Sequence, residues 1–427
     1  MNAPLQRFLS FLDGSPSPFH AVANVAGLLD RAGFTAVSES DAWPAGGRHY
    51  VVRGGSVVAW CTPDDLDLAT AGFRIVGAHT DSPNLRVKPQ PDTGRAGWSQ
   101  VRVEVYGSPL LNSWLDRDLG LSGRVMVRAD AGAVERLLLV GRPVLRVPQL
   151  AVHLDRDVNT KGLVLNPQEH IVPVWALGEP RRGGFRHFLA KELEVDEDAV
   201  LGWDVMTHDV TAATLVGRDG EFVSGGRLDN LCSCLAATEA LTAAADGCGA
   251  VAVVCLFDHE EVGSTSDRGA DGRLLPTVLE RIALGLGAAD DREVWHRALA
   301  RSACVSADMA HATHPNYSDR HDPDHWITLN GGPVIKENVN QRYATDAVGA
   351  ALFAEACERA GVPVQRYVHR NDMPCGSTIG PLTAARLGIT TVDVGASQLA
   401  MHSARELMGA DDLGLLTRAL QAFLAPS

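Results

Sequence analysis

The chain has 427 residues, 45% of them hydrophobic and 21% charged, which is enough to bury a large core without disulfides, either as two domains or as one interrupted by an insertion. Its 38 basic and 52 acidic side chains leave a net charge of -14. That balance argues against nucleic acid or an anionic membrane as the main partner, since both need basic surface, but a few local cations would still suffice to bind an acidic small substrate.

Near the start, MNAPLQRFLSFLDG has no basic region followed by a long apolar run, and no stretch of eighteen consecutive apolar residues occurs anywhere. Ser17 and Pro18 read as an N-cap and a first helical residue, opening an amphipathic helix over FHAVANVAGLLDRAGF that ends at Gly33. HYVVRGGSVVAWCT reads as a hairpin, and FRIVGAHTD as a strand ending in polar residues. Between roughly 90 and 220 the runs VRVEVYGSPLLNSWL, GRVMVRA and ERLLLVG predict a compact β-rich insert. From Leu228 onward, helical segments (LCSCLAATEALTAAAD, AVGAALFAEACERAG) alternate with apolar strands (AVAVVCLFD, ACVSADM, ITTVDVG). This alternation predicts an α/β fold, a mixed sheet with helices on its faces. The expected organisation is a discontinuous catalytic domain, 1–90 and 220–427, interrupted by a β-rich insert at 91–219. The eight cysteines form no CxxC pair and fall mostly in apolar runs, as expected for free thiols in a reducing, cytoplasmic setting; Cys232 and Cys234 are too closely spaced for a usual zinc pair.

The polar residues that matter fall at strand ends. His79 and Asp81 close FRIVGAHTD, Glu260 and Glu261 follow VAVVCLFDH, Asp308 follows ACVSA, and His402 comes soon after TTVDVGAS. Ligands of open α/β sheets bind beyond the carboxyl ends of strands, and Asp229, at the head of a predicted helix, is able to join them there. Each residue alone has an ordinary reading: a strand-end histidine, a helix cap at Asp81 or Asp229, solvated glutamates, a loop histidine. Their concurrence at one sheet edge is what points to a metal centre. Two histidines and several carboxylates suit zinc, with manganese or cobalt as substitutes, and so many carboxylates are able to hold two ions. Of the adjacent glutamates, one would bind metal while the other carries a proton; spacing alone leaves open which does which. The histidines of DMAHATHPNYSDRHDPDH (His311, His314, His321, His325) imitate a zinc motif but read better as a polar loop at the active site or at an interface.

Taken together, SPSPFHAVANV, GAHTDSPNLRVKP, LAVHLDRDVN, GRLDNL, DHEEVGS, DMAHATHPNY, GPVIKENVNQRYATD, NDMPCGSTIGP and VDVGASQLAMHSARE resemble, in order and over nearly the whole chain, the aspartyl aminopeptidases, a family of di-zinc metallopeptidases. The resemblance implies a zinc-exopeptidase-like catalytic domain in which Asp229 bridges two metals, His79 and Asp308 complete one site, and Glu261 and His402 complete the other. It further implies Glu260 as general base, Asp81 as the partner of His79, and Lys336 with Tyr343 as contacts for an acidic substrate side chain. The family removes N-terminal aspartate or glutamate from peptides and assembles as a dodecamer through the insert, and His153 matches a histidine that reaches a neighbouring subunit's active site. The residues between Lys336 and Gln341 depart from the family pattern. Two other readings are a broad-specificity aminopeptidase or deacylase using the same metals, and an idle assembly protein, which loss of a ligand would favour; all five ligands are present.

Overall fold

The structure, a computed structural model, describes residues 3–63, 66–289 and 291–426. Its centre is a nine-stranded mixed sheet. Four parallel strands, Val251–Phe257, Phe73–His79, Ala303–Ala307 and Thr390–Gly395, lie side by side in that order. They are apolar along their length because both faces are covered, the usual state of a parallel sheet. The expected hairpin forms: Gly47–Arg53 and Ser56–Thr62 pair antiparallel across Gly54 and Gly55, and the second strand joins the sheet against Val251–Phe257.

One face of the sheet packs on the helices Ala3–Gly14, Pro18–Arg31, Leu228–Ala244, Ala347–Arg359 and Asp412–Leu424, with Phe8, Leu29, Leu231, Phe353 and Phe423 in the shared core. The other face packs on Leu274–Ala283, Arg292–Arg301 and Ile379–Leu387 around Phe73, Phe257 and Leu279. Truncating a fully buried phenylalanine such as Phe353 would cost about 3–5 kcal/mol. The helix Pro18–Arg31 starts as expected: Ser17 accepts from the His20 amide, Pro18 takes the first position, and the chain turns away at Gly33 with φ 80°.

The predicted β-rich segment is a separate six-stranded antiparallel sheet, from Asn84–Arg95 to Val200–Asp209 in the sequence. It has its own core, formed by Leu85, Val101, Leu121 and Val125 against the helix Gly184–Leu193. One expectation changes here. VRVEVYGSPLLNSWL is not a single extended run: the strand Trp98–Tyr106 stops at Gly107 (φ 71°), and Leu111–Trp114 forms a helical turn after Pro109. A third sheet of five short strands includes Ser397–Leu399 and Glu406–Gly409, an antiparallel pair whose connection carries His402. Among the described residues no helix is long and apolar enough to cross a membrane.

Candidate metal centre

The carboxyl ends of the four parallel strands converge, and the predicted ligands meet there. His79 is the last residue of its strand and is 2% exposed. Its Nε2 lies 3.3 Å from Asp229 Oδ1 and 3.4 Å from Asp308 Oδ1. His402 Nε2 lies 3.3 Å from Glu261 Oε2 and 3.7 Å from Asp229 Oδ2. Two three-residue clusters result, His79–Asp229–Asp308 and Asp229–Glu261–His402, each with its donor atoms within 4.8 Å of one another and with Asp229 common to both. A third grouping of the same tightness joins His79, Glu260 and Glu261.

Local structure explains why these side chains are free to meet. Asp229 lies in the first turn of Leu228–Ala244 but has non-helical backbone angles (φ -81°, ψ 105°), and Arg227 takes the N-cap position. Its carboxylate is thus not spent on a helix cap. His402 sits at φ 65° in the tight connection between its two strands, which turns the ring back toward the sheet edge. Both rings are also held in one tautomer. His79 Nδ1 donates to the Asp81 carbonyl at 3.0 Å and His402 Nδ1 to the Ser108 carbonyl at 3.0 Å, so Nε2 is the nitrogen each ring would offer to a bound cation.

Asp81 does more than the HxD spacing suggests. Its carboxylate is 3.6 Å from His79 Nδ1, and it also accepts the amides of Glu260 and Glu261, each at 3.1 Å, and the Tyr106 hydroxyl at 2.6 Å. Burial opposes its charge, but the neighbouring His79 ring and the hydrogen bonds from Tyr106 and the Glu261 amide hold its pKa below the ordinary aspartate value. One buried anion therefore fixes both the histidine and the turn that carries the two glutamates. Tyr106→Phe removes the shortest of these bonds, and we expect kcat to fall roughly 10-fold with little change in KM, read by steady-state kinetics.

Glu406, which the sequence reading did not single out, plays the corresponding part on the other side. It is 3% exposed and accepts the Asp229 amide at 3.1 Å and the His402 amide at 2.8 Å, joining two of the three residues of the second cluster. Its position four residues after His402 was the available signal, but its role depends on backbone atoms brought together only by the fold.

The electrostatics are those of a site built around positive charge. Burial raises the pKa of Glu260 to about 8, with further contributions from Asp308, Asp81 and Asp229 and opposition from His79; Glu261 is pushed well up by burial and by Asp229. Asp229 Oδ1 and Glu261 Oε1 are buried with no hydrogen-bond partner. Unpaired buried carboxylate oxygens are costly. Divalent cations would satisfy them, and the mixed imidazole and carboxylate donors fit zinc, manganese or cobalt.

A cleft of about 520 Å³ opens over the cluster, with His311, Lys336, Tyr343 and Ser377 on its walls. Lys336 is 1% exposed: its Nζ donates to the Asp308 carbonyl at 2.9 Å and the Met309 carbonyl at 3.2 Å, lies 3.6 Å from Asp308 Oδ2, and sits 5.1 Å from the Tyr343 ring centre. Lys336 opposes burial in holding the Asp308 carboxyl well below its ordinary pKa. Of the histidine-rich loop, only His311 lines this cleft among the described residues; His314 and His321 hydrogen-bond to backbone amides of the loop, and His325 pairs with Asp322. His153 is not brought to the site. It lies in an exposed loop of the antiparallel-sheet segment.

An α/β sheet flanked by helices, with such a ligand cluster at the carboxyl ends of its strands, has the architecture of a metal-dependent exopeptidase. The chain belongs to the M18 family: the model for the aminopeptidase I zinc metalloproteases matches residues 11–424. It is 56% identical to the probable M18 family aminopeptidase 2 of Streptomyces coelicolor over 98% of this chain and 96% of that protein. The Mycobacterium tuberculosis protein of the same description is 54% identical, over 100% and 99% of the two chains. Among solved structures, the chain in the cryo-EM structure of the Ape4 and Nbr1 complex is 38% identical, with a TM-score of 0.94 over 99% of this chain and 85% of that one. The S. cerevisiae mApe1 dodecamer is 28% identical, with a TM-score of 0.84 over 99% of this chain and 96% of that one. The expected family and α/β fold are therefore right, and the protein is an M18-type zinc aminopeptidase.

Proposed function

We propose that this aminopeptidase removes N-terminal aspartate, and then glutamate, from peptides with the help of two divalent cations. The observation that carries the reading is the pair of ligand clusters sharing Asp229 beneath a cleft walled by the buried Lys336 ammonium. His79, Asp229 and Asp308 would hold one ion, and Asp229, Glu261 and His402 the other. Cations bound there would acidify water and withdraw charge from the scissile carbonyl.

The remaining work falls to the chain. Glu260, its backbone pinned by Asp81, accepts the proton of the attacking water and returns it to the leaving amine. Acidic groups at the cleft floor receive the substrate's free α-amine. Two of the three Lys336 donors are used by carbonyls, which leaves one N–H for the substrate's side-chain carboxylate, with the Tyr343 ring alongside. A deacylase would need no free amine, and a broad-specificity enzyme would use Lys336 only to hold Asp308 and its neighbouring carbonyls.

The β-rich insert, 91–219, serves self-association, a reading supported by the dodecameric mApe1 relative. His153 is flanked by Leu150, Val152 and Leu154, which are 58%, 50% and 75% exposed, so this loop presents apolar surface for a second copy to cover. In the assembly His153 would complete a neighbour's cleft.

Matched peptides beginning with Asp, Leu and N-acetyl-Asp, offered to metal-stripped protein with and without zinc, test the proposal. Zinc-dependent release of Asp far above Leu, with the acetylated peptide intact, is the expected outcome. Equal cleavage of Leu would remove Lys336 as the selector, and cleavage of N-acetyl-Asp would replace the aminopeptidase reading with a deacylase.

A further inference from the structure

Far from the cleft, two cysteines approach each other across a junction of the catalytic sheet. Cys61 lies near the end of the strand Ser56–Thr62, opposite Ala252 of the neighbouring strand. Cys248 lies in the short connection between the helix Leu228–Ala244 and that same neighbouring strand, Val251–Phe257. Their sulfur atoms are 3.6 Å apart, and both thiols are free. Cys61 is 2% exposed and Cys248 8%, so the pair is shielded but shallow on the Cys248 side.

We propose that Cys61 and Cys248 form a reversible disulfide when the protein meets a hydroperoxide. The two sulfurs need to close by only about 1.5 Å to reach bonding distance, and Cys248 is carried by a short turn that is able to move. Their surroundings divide the roles. The Cys61 S–H has acceptors in Cys248 Sγ and in the Ala245 carbonyl at 3.2 Å, which keep it protonated. Hydrogen bonding from Cys61 lowers the Cys248 thiol to about 7 against the effect of burial, with help from backbone amides and from Arg48, which lies opposite Cys61 in the adjoining strand and pairs with Asp246.

Cys248 is thus the attacking sulfur. Its thiolate takes the distal oxygen of the hydroperoxide to give a sulfenic acid, and the peroxide departs as an alcohol or water. Cys61 then attacks that sulfur, the S–S bond forms, and the sulfenic oxygen leaves as water. In total, two thiols are oxidised and one peroxide is reduced. The remaining cysteines are placed differently: Cys255 and Cys304 are sealed inside the sheet, and Cys375 sits beside Tyr343.

The bond would tie the strand Ser56–Thr62 to the far end of the helix whose first turn carries Asp229. Because it closes a very long loop, it should also restrict the unfolded chain. The test treats reduced full-length protein with graded hydrogen peroxide and follows intact mass, the disulfide map and the thermal midpoint. A species lighter by two hydrogens, a cross-linked peptide joining Cys61 to Cys248, a raised thermal midpoint and reversal by dithiothreitol are expected, with no cross-link in C248S. The wild-type map decides the question should that variant fail to fold. Cys248 advancing to sulfinic acid beside a free Cys61, a bond between other cysteines, or eight thiols still free at peroxide levels that oxidise dithiothreitol would each overturn the proposal.

Discussion

Glu260→Gln will retain the metal content of the wild type and lose about 10²–10⁴-fold in kcat, the range that general acid–base groups supply. Glutamine preserves the size of the side chain and the backbone bond to Asp81, so the turn holding Glu261 stays in place. What disappears is the capacity to take a proton from water and pass it to the departing amine. The result separates the two roles that adjacent glutamates leave open. Because His79, Glu260 and Glu261 also form a tight grouping, a variant that instead loses an ion would make Glu260 a ligand and transfer the proton-carrying role to Glu261. Paired metal analysis and steady-state kinetics on the same preparation distinguish these outcomes.

Asp229→Asn should have a larger and two-sided effect. Asp229 is the one residue common to both ligand clusters, so we expect metal retention to collapse and turnover to fall by on the order of 10³-fold or more, the several kcal/mol that cation stabilisation contributes. Without metal the sign reverses. Asp229 lies among Glu260, Glu261 and Glu406, and its charge raises the pKa of each, after burial itself. Removing that charge relieves repulsion in the metal-free protein. The stripped variant should therefore melt above the stripped wild type, while added zinc raises the wild-type midpoint much more than the variant's. Thermal scans of both proteins with and without zinc check this crossing; a stripped variant that melts lower would mean that the lost pairing of Asp229 with His79 and His402 outweighs the relieved repulsion.

Much of this site was legible in the sequence because its physics is local. A parallel strand must be apolar throughout, so charge immediately after one, as in FDHEEVGS, marks the sheet edge where ligands bind. His79, Asp308 and the two glutamates announce themselves in this way. The helix Leu228–Ala244 was equally plain, although its non-helical start, which frees Asp229, was not. Glu406 and Tyr106 stayed hidden because they act on backbone amides and on a buried carboxylate far away in the chain, and no periodicity records such partners. The position of Lys336 was visible but its attachment to two carbonyls was not. His153 escapes a single chain altogether, since any catalytic part it plays requires another copy.

The scattered origin of the ligands bears on how the cell makes this enzyme. His79 is synthesised early and His402 late, and the whole antiparallel-sheet segment is translated between them. Apart from Ala404, the core of that segment is made of residues within it, whereas the central sheet is complete only when the strand Thr390–Gly395 lies beside Ala303–Ala307. A growing polypeptide thus lacks a complete ligand set until His402 has been added, after His79, Asp229, Glu261 and Asp308. The order of the ligands along the chain therefore makes the metal centre one of the last features of the fold that is able to form.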